Sequence, residues 1–148
     1  MLIVSRVHLK ALADLAEASF PAEACALLIG RRGPGLHYRI TRVEPSRNQA
    51  ADPGRGFEID PGLRIGLQRE LRRGLEQIVG VWHSHPNGRP EPSAADAAMI
   101  FEPDLCWLIT AVEQGQALQT EAYVPAAGRG AGSRVADGFR RIELILAE

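Results

Sequence analysis

Ile78-Val79-Gly80-Val81-Trp82-His83-Ser84-His85-Pro86-Asn87-Gly88-Arg89-Pro90-Glu91-Pro92-Ser93-Ala94-Ala95-Asp96 is the stretch from which the rest of the chain can be organised. Residues 78–82 are apolar without a polar break, the pattern of a strand buried on both faces, and the strand reads on to residue 84. Side chains two apart on a strand point the same way, so His83 and His85 face one point and Ser84 faces the other side. A Pro/Gly-rich turn follows, and a helical pattern over residues 93–101 brings Asp96 back toward the strand end. Two imidazoles and one carboxylate can hold a divalent ion and leave a fourth position for water, the ligand count of a catalytic rather than a structural zinc site.

Working outward, Leu9, Leu12, Ala13, Ala16 and Phe20 recur at helical spacing, and Pro21 stops them, which predicts a helix over residues 8–19. The apolar run 24–30 predicts a buried strand. Arg31-Arg32-Gly33-Pro34-Gly35 is a turn signal, and the alternating residues 36–43 return as the second arm of a hairpin. Residues 46–55 are polar with Pro and Gly, a loop by composition, and 56–59 read as a short strand. Pro61, then Leu63, Leu67 and Leu71, predict a helix over 61–74. Residues 105–112 and 117–124 form a further strand pair. The Gly-rich segment 126–133 reads as a linker or loop, and 139–146 as a last strand, a choice over a short helix that rests on the family resemblance described next. Strands outnumber helices in this order, which predicts an α/β fold: a three-layer-like sandwich with one central mixed sheet flanked by helices.

His83-x-His85, seven residues, then Ser93-x-x-Asp96 resembles the signature of the JAMM (MPN+) metalloproteases. That family also carries an upstream glutamate in a Pro-x-Glu-x-Cys-Gly context, matched here by Pro21-Ala22-Glu23-Ala24-Cys25-Ala26, with alanine where the family often has glycine. The resemblance runs from about residue 5 to residue 125 and implies a cytidine-deaminase-like MPN domain spanning residues 1–148. It further implies Zn²⁺ held by His83, His85 and Asp96, with Glu23 as general base and Ser93 as donor to the developing oxyanion. The implied reaction is hydrolysis of the peptide or isopeptide bond after the C-terminal Gly-Gly of a ubiquitin-like protein. Only Glu102-Pro103-Asp104 separates the third helix from the next strand, so the chain lacks the insertions of linkage-selective relatives. It is more similar to compact prokaryotic members, whose partners include ubiquitin-like sulfur carriers, and an extended carrier tail could lie along a sheet edge next to the metal. A non-catalytic MPN scaffold and a small-molecule amidase are the alternatives.

The composition narrows the classes further. The 148 residues suit one domain, and a net charge of −1 without a long Lys/Arg run gives no general attraction to nucleic acid. No apolar run approaches the roughly 18 residues of a membrane span and no signal peptide is evident, so a cytoplasmic protein is expected. Cys25 and Cys106 each lie in apolar sequence and are expected as buried, reduced thiols. Ser93-x-x-Asp96 also has a plain reading, a serine capping a helix with an acid in its first turn. Trp82 and Trp107 fall in strand patterns and read as core.

Overall fold

The computed structural model describes residues 1–126, 134–135 and 138–148. In chain order the elements are β1 (Leu2–Ser5), α1 (Arg6–Ser19), β2 (Cys25–Gly33), β3 (His37–Ser46), α2 (Pro61–Leu71) and β4 (Gln77–His85). There follow α3 (Ala94–Ala97), β5 (Cys106–Glu113), β6 (Gln116–Pro125), β7 (Arg134–Val135), β8 (Phe139–Ile142) and β9 (Leu144–Ala147). The linker reading of 126–133 lies outside the described residues except at Ala126, which is buried.

Local chemistry explains where the helices begin. Ser5 caps α1 by accepting from His8 N at 3.1 Å, and α1 buries Leu12 and Ala16. Asp60 caps α2 through Gly62 N at 3.0 Å, with Pro61 in the first turn where it costs no hydrogen bond. From α2, Leu67 is buried and Leu63 and Leu71 pack beside it. Each such leucine contributes roughly 1.5–3 kcal/mol when fully covered. β5 and β6 meet in the two-residue turn Gln114-Gly115, whose φ values of 50° and 81° are those a tight hairpin requires.

The nine strands of the described residues join one mixed sheet in the order β7-β8-β6-β5-β4-β2-β3-β1-β9. β4 pairs antiparallel with β2 (Cys25 opposite His83) and parallel with β5 (His83 opposite Ile109). The expected last strand is broken at Glu143, and its two halves go to opposite ends of the sheet, β8 onto β6 and β9 onto β1. Because those halves are contiguous in the chain, the ends meet and the sheet curls into a barrel-like form, with Leu2 N donating to the Glu143 carbonyl at 2.8 Å. This differs from the predicted sandwich. The sheet is mixed as expected, but helices of 14, 11 and 4 residues do not make full layers.

Two cores line the sheet. One gathers Leu12 and Ala16 of α1 with Ala26, Leu28, Trp82 and Leu108, and the other gathers Leu67 of α2 with Cys25, Leu27, Val81, Trp107 and Ile109. Successive residues of β2, β4 and β5 therefore serve opposite faces, the reason their sequence is apolar throughout. Both tryptophans are core, and both cysteines are buried and free. The third helix is shorter than the expected 93–101: Met99 N and Ile100 N bond to Asp96 O and Ala97 O three residues back, which tightens the turn and ends the α-helix. The expected strand 56–59 is reduced to one bridge, Asn48 with Ile59, because the Asn48 side chain takes the groups a ladder would use.

One glycine is fixed by this packing. A Cβ on Gly80 of β4 would stand 2.4 Å from Cys106 Sγ and 2.5 Å from the Cys106 carbonyl oxygen, and the backbone atom cannot step aside without parting the two strands. Gly80→Ala is expected to cost at least ~2 kcal/mol and roughly 5–10 °C in Tm. Gly66→Ala, in open space on α2, should instead leave Tm unchanged or raise it. Thermal unfolding of both variants checks the contrast, and equal melting points would refute it.

Candidate metal centre

The C-terminal end of β4 delivers His83 and His85 to one face, and α3 presents Asp96 against them. His83 Nε2 lies 3.1 Å from Asp96 Oδ1, His85 Nε2 lies 3.0 Å from Asp96 Oδ2, and the two Nε2 atoms are 2.9 Å apart. All three residues are buried. Glu23, just before β2, is buried as well, and one oxygen of its carboxylate lies within 4.8 Å of a nitrogen on each histidine. The residues singled out from sequence, Glu23, His83, His85, Ser93 and Asp96, are thus brought to one place by three separate chain segments.

The hydrogen bonds define what this cluster can hold. His85 Nδ1 faces the Arg89 carbonyl at 3.0 Å, and a carbonyl only accepts, so Nδ1 carries a hydrogen. In a neutral His85 ring, Nε2 is then a bare lone pair aimed at a carboxylate oxygen and at another imidazole nitrogen. Lone pairs so close in a buried site need positive charge between them, a proton or a metal ion. The donor separations of 2.9–3.1 Å are within a few tenths of the ~3.3 Å edge of a tetrahedron with ~2.0 Å bonds. Glu23 Oε1 and His83 Nδ1 are buried without a protein hydrogen-bond partner. The donor set and its spacing fit a divalent cation.

Electrostatics follow from burial. Desolvation raises the Glu23 carboxyl to about 7, partly offset by the His85 charge. Burial pushes His83 below the ordinary histidine value, the nearby Asp96 only partly opposing it. At His85 burial acts in the same sense, but the Asp96 hydrogen bond and charge, with the Glu23 charge and the Arg89 carbonyl, together outweigh it, so its pKa rises. Asp96 is held well below the usual carboxylate range, its desolvation overcome by the His83 charge and the bonds from both rings.

Both readings of Ser93-x-x-Asp96 are present in the same atoms. Ser93 Oγ accepts from Asp96 N at 3.1 Å, Ser93 N donates to Asp96 Oδ2 at 2.9 Å, and this capping box fixes the carboxylate that meets the histidines. Ser84 turns to the opposite face, as its strand position requires. Its hydroxyl accepts from Ala24 N at 2.8 Å, bolting the residue after Glu23 onto β4.

Other neighbours were not singled out from sequence. Asn48 donates from Nδ2 to the carbonyls of Glu23 at 2.9 Å and Gly56 at 3.0 Å, while its Oδ1 accepts from Ala50 N and Glu58 N. It ties the glutamate to the loop beyond it. Phe57 stacks on His83 with ring centroids 4.2 Å apart, and Trp107 meets the same ring edge-on at 5.5 Å. An asparagine in a polar loop was a weak signal for the first, and nothing local marked the second.

β4 has a partner on each side, so no free ladder edge adjoins the histidines, contrary to the expectation that a substrate tail lies along one. An open groove of about 300 Å³ between residues 50–58 and α3 reaches Asp96, with Ala50, Ala51, Gly56 and Ala95 in its wall beside the larger Arg55, Phe57 and Met99 and the acids Asp52 and Glu58.

The fold and site together define a mixed-sheet domain with a buried cluster competent to hold a metal ion. The sequence profile of prokaryotic homologs of the JAB domain matches residues 5–123, and the chain belongs to that family. A protein of Desulfitobacterium hafniense known from a solution structure is similar at 29% identity and a TM-score of 0.78, covering 100% of this chain and 94% of the other. A Salinibacter ruber protein gives 21% and 0.71 over 100% and 92%. A JAB1/MPN domain protein from Archaeoglobus fulgidus gives 20% and 0.61 over the full length of both, a likeness of fold. No curated protein matches the sequence. Among the described residues no helix is long and apolar enough to cross a membrane.

Proposed function

We propose that this chain is a zinc-dependent metallo(iso)peptidase that hydrolyses the bond after the C-terminal Gly-Gly of a ubiquitin-like or sulfur-carrier protein. The observation that carries this reading is the buried meeting of His83, His85 and Asp96 with the second carboxylate of Glu23 beside it. Asp96, at 3.0–3.1 Å from both imidazoles, is assigned as the third ligand, and Glu23, farther off, as the base. Zn²⁺ in this imidazole and carboxylate set would supply Lewis acidity and bring the pKa of a bound water toward ~7.

The protein groups do the rest. Glu23, poised near neutrality by desolvation, takes the proton of the attacking water and returns it to the departing amine. Asn48 and Ser84 both hold the Glu23–Ala24 peptide, the first by donating to its carbonyl and the second by accepting from its N–H. Ser93 Oγ accepts from Asp96 N and keeps its own hydrogen to donate to the carbonyl oxygen as charge develops there. The small side chains of Ala50, Ala51 and Ala95, together with Gly56, leave room for an extended glycine tail and favour an open peptide groove over an enclosed small-molecule pocket.

The test is metal content of the purified protein, followed by cleavage of carrier conjugates in which Gly-Gly is joined to cysteine or to a lysine side chain. Near one zinc per chain and release of the amine would support the proposal. Stoichiometric zinc with no cleavage of either conjugate would refute this substrate class, and failure to take up metal under repeated loading would favour a non-catalytic scaffold.

A further inference from the structure

The loop between the histidines and α3 is anchored by a residue from two strands away. Tyr123, in β6, is 1% exposed, and its hydroxyl donates to the Pro90 carbonyl at 2.9 Å. The preceding carbonyl, that of Arg89, is the one that accepts from His85 Nδ1. Between those two carbonyls the peptide plane is rigid and the proline ring locks φ, so a single torsion relates them. Holding one nearly fixes the other. On the far side of Arg89, its N–H is taken by Asn87 Oδ1 at 2.9 Å and Gly88 adopts a φ of 79°, so the turn is pinned at both ends. The Tyr123 ring is itself held in the sheet opposite Trp107 and against Phe139.

We propose that Tyr123 is a positioning residue for the metal centre: its hydroxyl, through Pro90, aims the Arg89 carbonyl that keeps the hydrogen of His85 on Nδ1 and leaves Nε2 free to bind. The inference rests on the metal reading above for its affinity consequence, while its structural half stands on the protein alone. Tyr123→Phe removes one oxygen and keeps the ring. Thr110→Val is the control, removing a buried hydroxyl that accepts from Trp82 Nε1 at 2.9 Å and bonds Thr120 Oγ1 at 2.7 Å, neither of which involves the loop. Pro90→Ala tests the same linkage by freeing φ with Tyr123 intact, and it serves if Tyr123→Phe does not fold.

The readouts are the zinc dissociation constant and solvent exchange of the His85 Nδ1 hydrogen, followed by NMR in metal-free protein. Zinc affinity is expected to fall by about 10-fold in Tyr123→Phe, the low end of the ~10–100-fold for losing a direct outer partner, because the Arg89 carbonyl remains but is no longer aimed, and by less in Pro90→Ala. Exchange of the ring hydrogen should quicken at least ~10-fold, as it does when the bond that protects it opens more often. Thr110→Val should match the parent protein in both. If Tyr123→Phe and Pro90→Ala behave as Thr110→Val does, the inference is overturned. Should the parent protein itself take no zinc, the metal reading fails, and the exchange measurement alone still decides the role of Tyr123.

Discussion

His85→Ala is expected to abolish zinc retention and reduce conjugate cleavage to background while leaving a folded protein. The imidazole contributes a donor that touches both of the others, at 2.9 Å from His83 Nε2 and 3.0 Å from Asp96 Oδ2, so its loss leaves one histidine and one carboxylate facing a void. Two protein ligands do not retain zinc against dilution. The drop in affinity should exceed the ~100-fold typical of losing an outer partner. Folding should survive because β4 keeps its pairing to β2 and β5. Metal analysis after dialysis, with circular dichroism as the fold control, checks both halves. A variant that keeps one zinc per chain would show that His85 is not a ligand.

Glu23→Gln is expected to separate chemistry from metal binding: zinc stays near one per chain and turnover falls by ~10²–10⁴, the range for removing a general base. The same substitution changes stability with a defined sign. Glu23 titrates at about 7 in the folded protein against its ordinary value of 4.5, so between those values the folded state binds more protons than the unfolded one. Stability of the metal-free protein therefore falls as pH rises from about 4.5 to about 7, by up to ~3 kcal/mol from this group. His85, also raised, adds to the fall above its ordinary value, whereas His83, lowered by burial, opposes it below that value. In Glu23→Gln the slope should flatten and the metal-free protein should be more stable than the parent at pH 8. Urea unfolding at pH 5 and pH 8 measures it. An unchanged slope would mean that Glu23 is not desolvated, and unchanged turnover that it is not the base.

The site could be read from sequence to the extent that its geometry is local. His83 and His85 share a face because a strand alternates, and the seven residues to Ser93 form a closed turn that returns Asp96 to them. Glu23 was legible only through its resemblance to a family motif, since nothing in residues 21–26 shows that the segment abuts β4. Asn48, Phe57 and Tyr123 act through contacts between distant segments, 25 residues separating Asn48 from the carbonyl it holds and 33 separating Tyr123 from Pro90. Period and composition carry no information at that range.

The same limit applies to the fold. Buried strands such as β2, β4 and β5 announce themselves by unbroken apolar runs. β1 is only four residues long and went unread, and the division of the last strand at Glu143 depends on which neighbours each half meets. The prediction of full helical layers failed because a sheet that curls on itself covers part of its own apolar surface.

That curling also settles where the chain's ends lie relative to its working surface. β1 and β9 are neighbours running parallel, and β4 is three pairings away from their seam through β2 and β3. Because β1 and β9 run parallel, Met1 and Glu148 lie at opposite ends of that seam, and neither terminal strand borders the strand that carries the histidines.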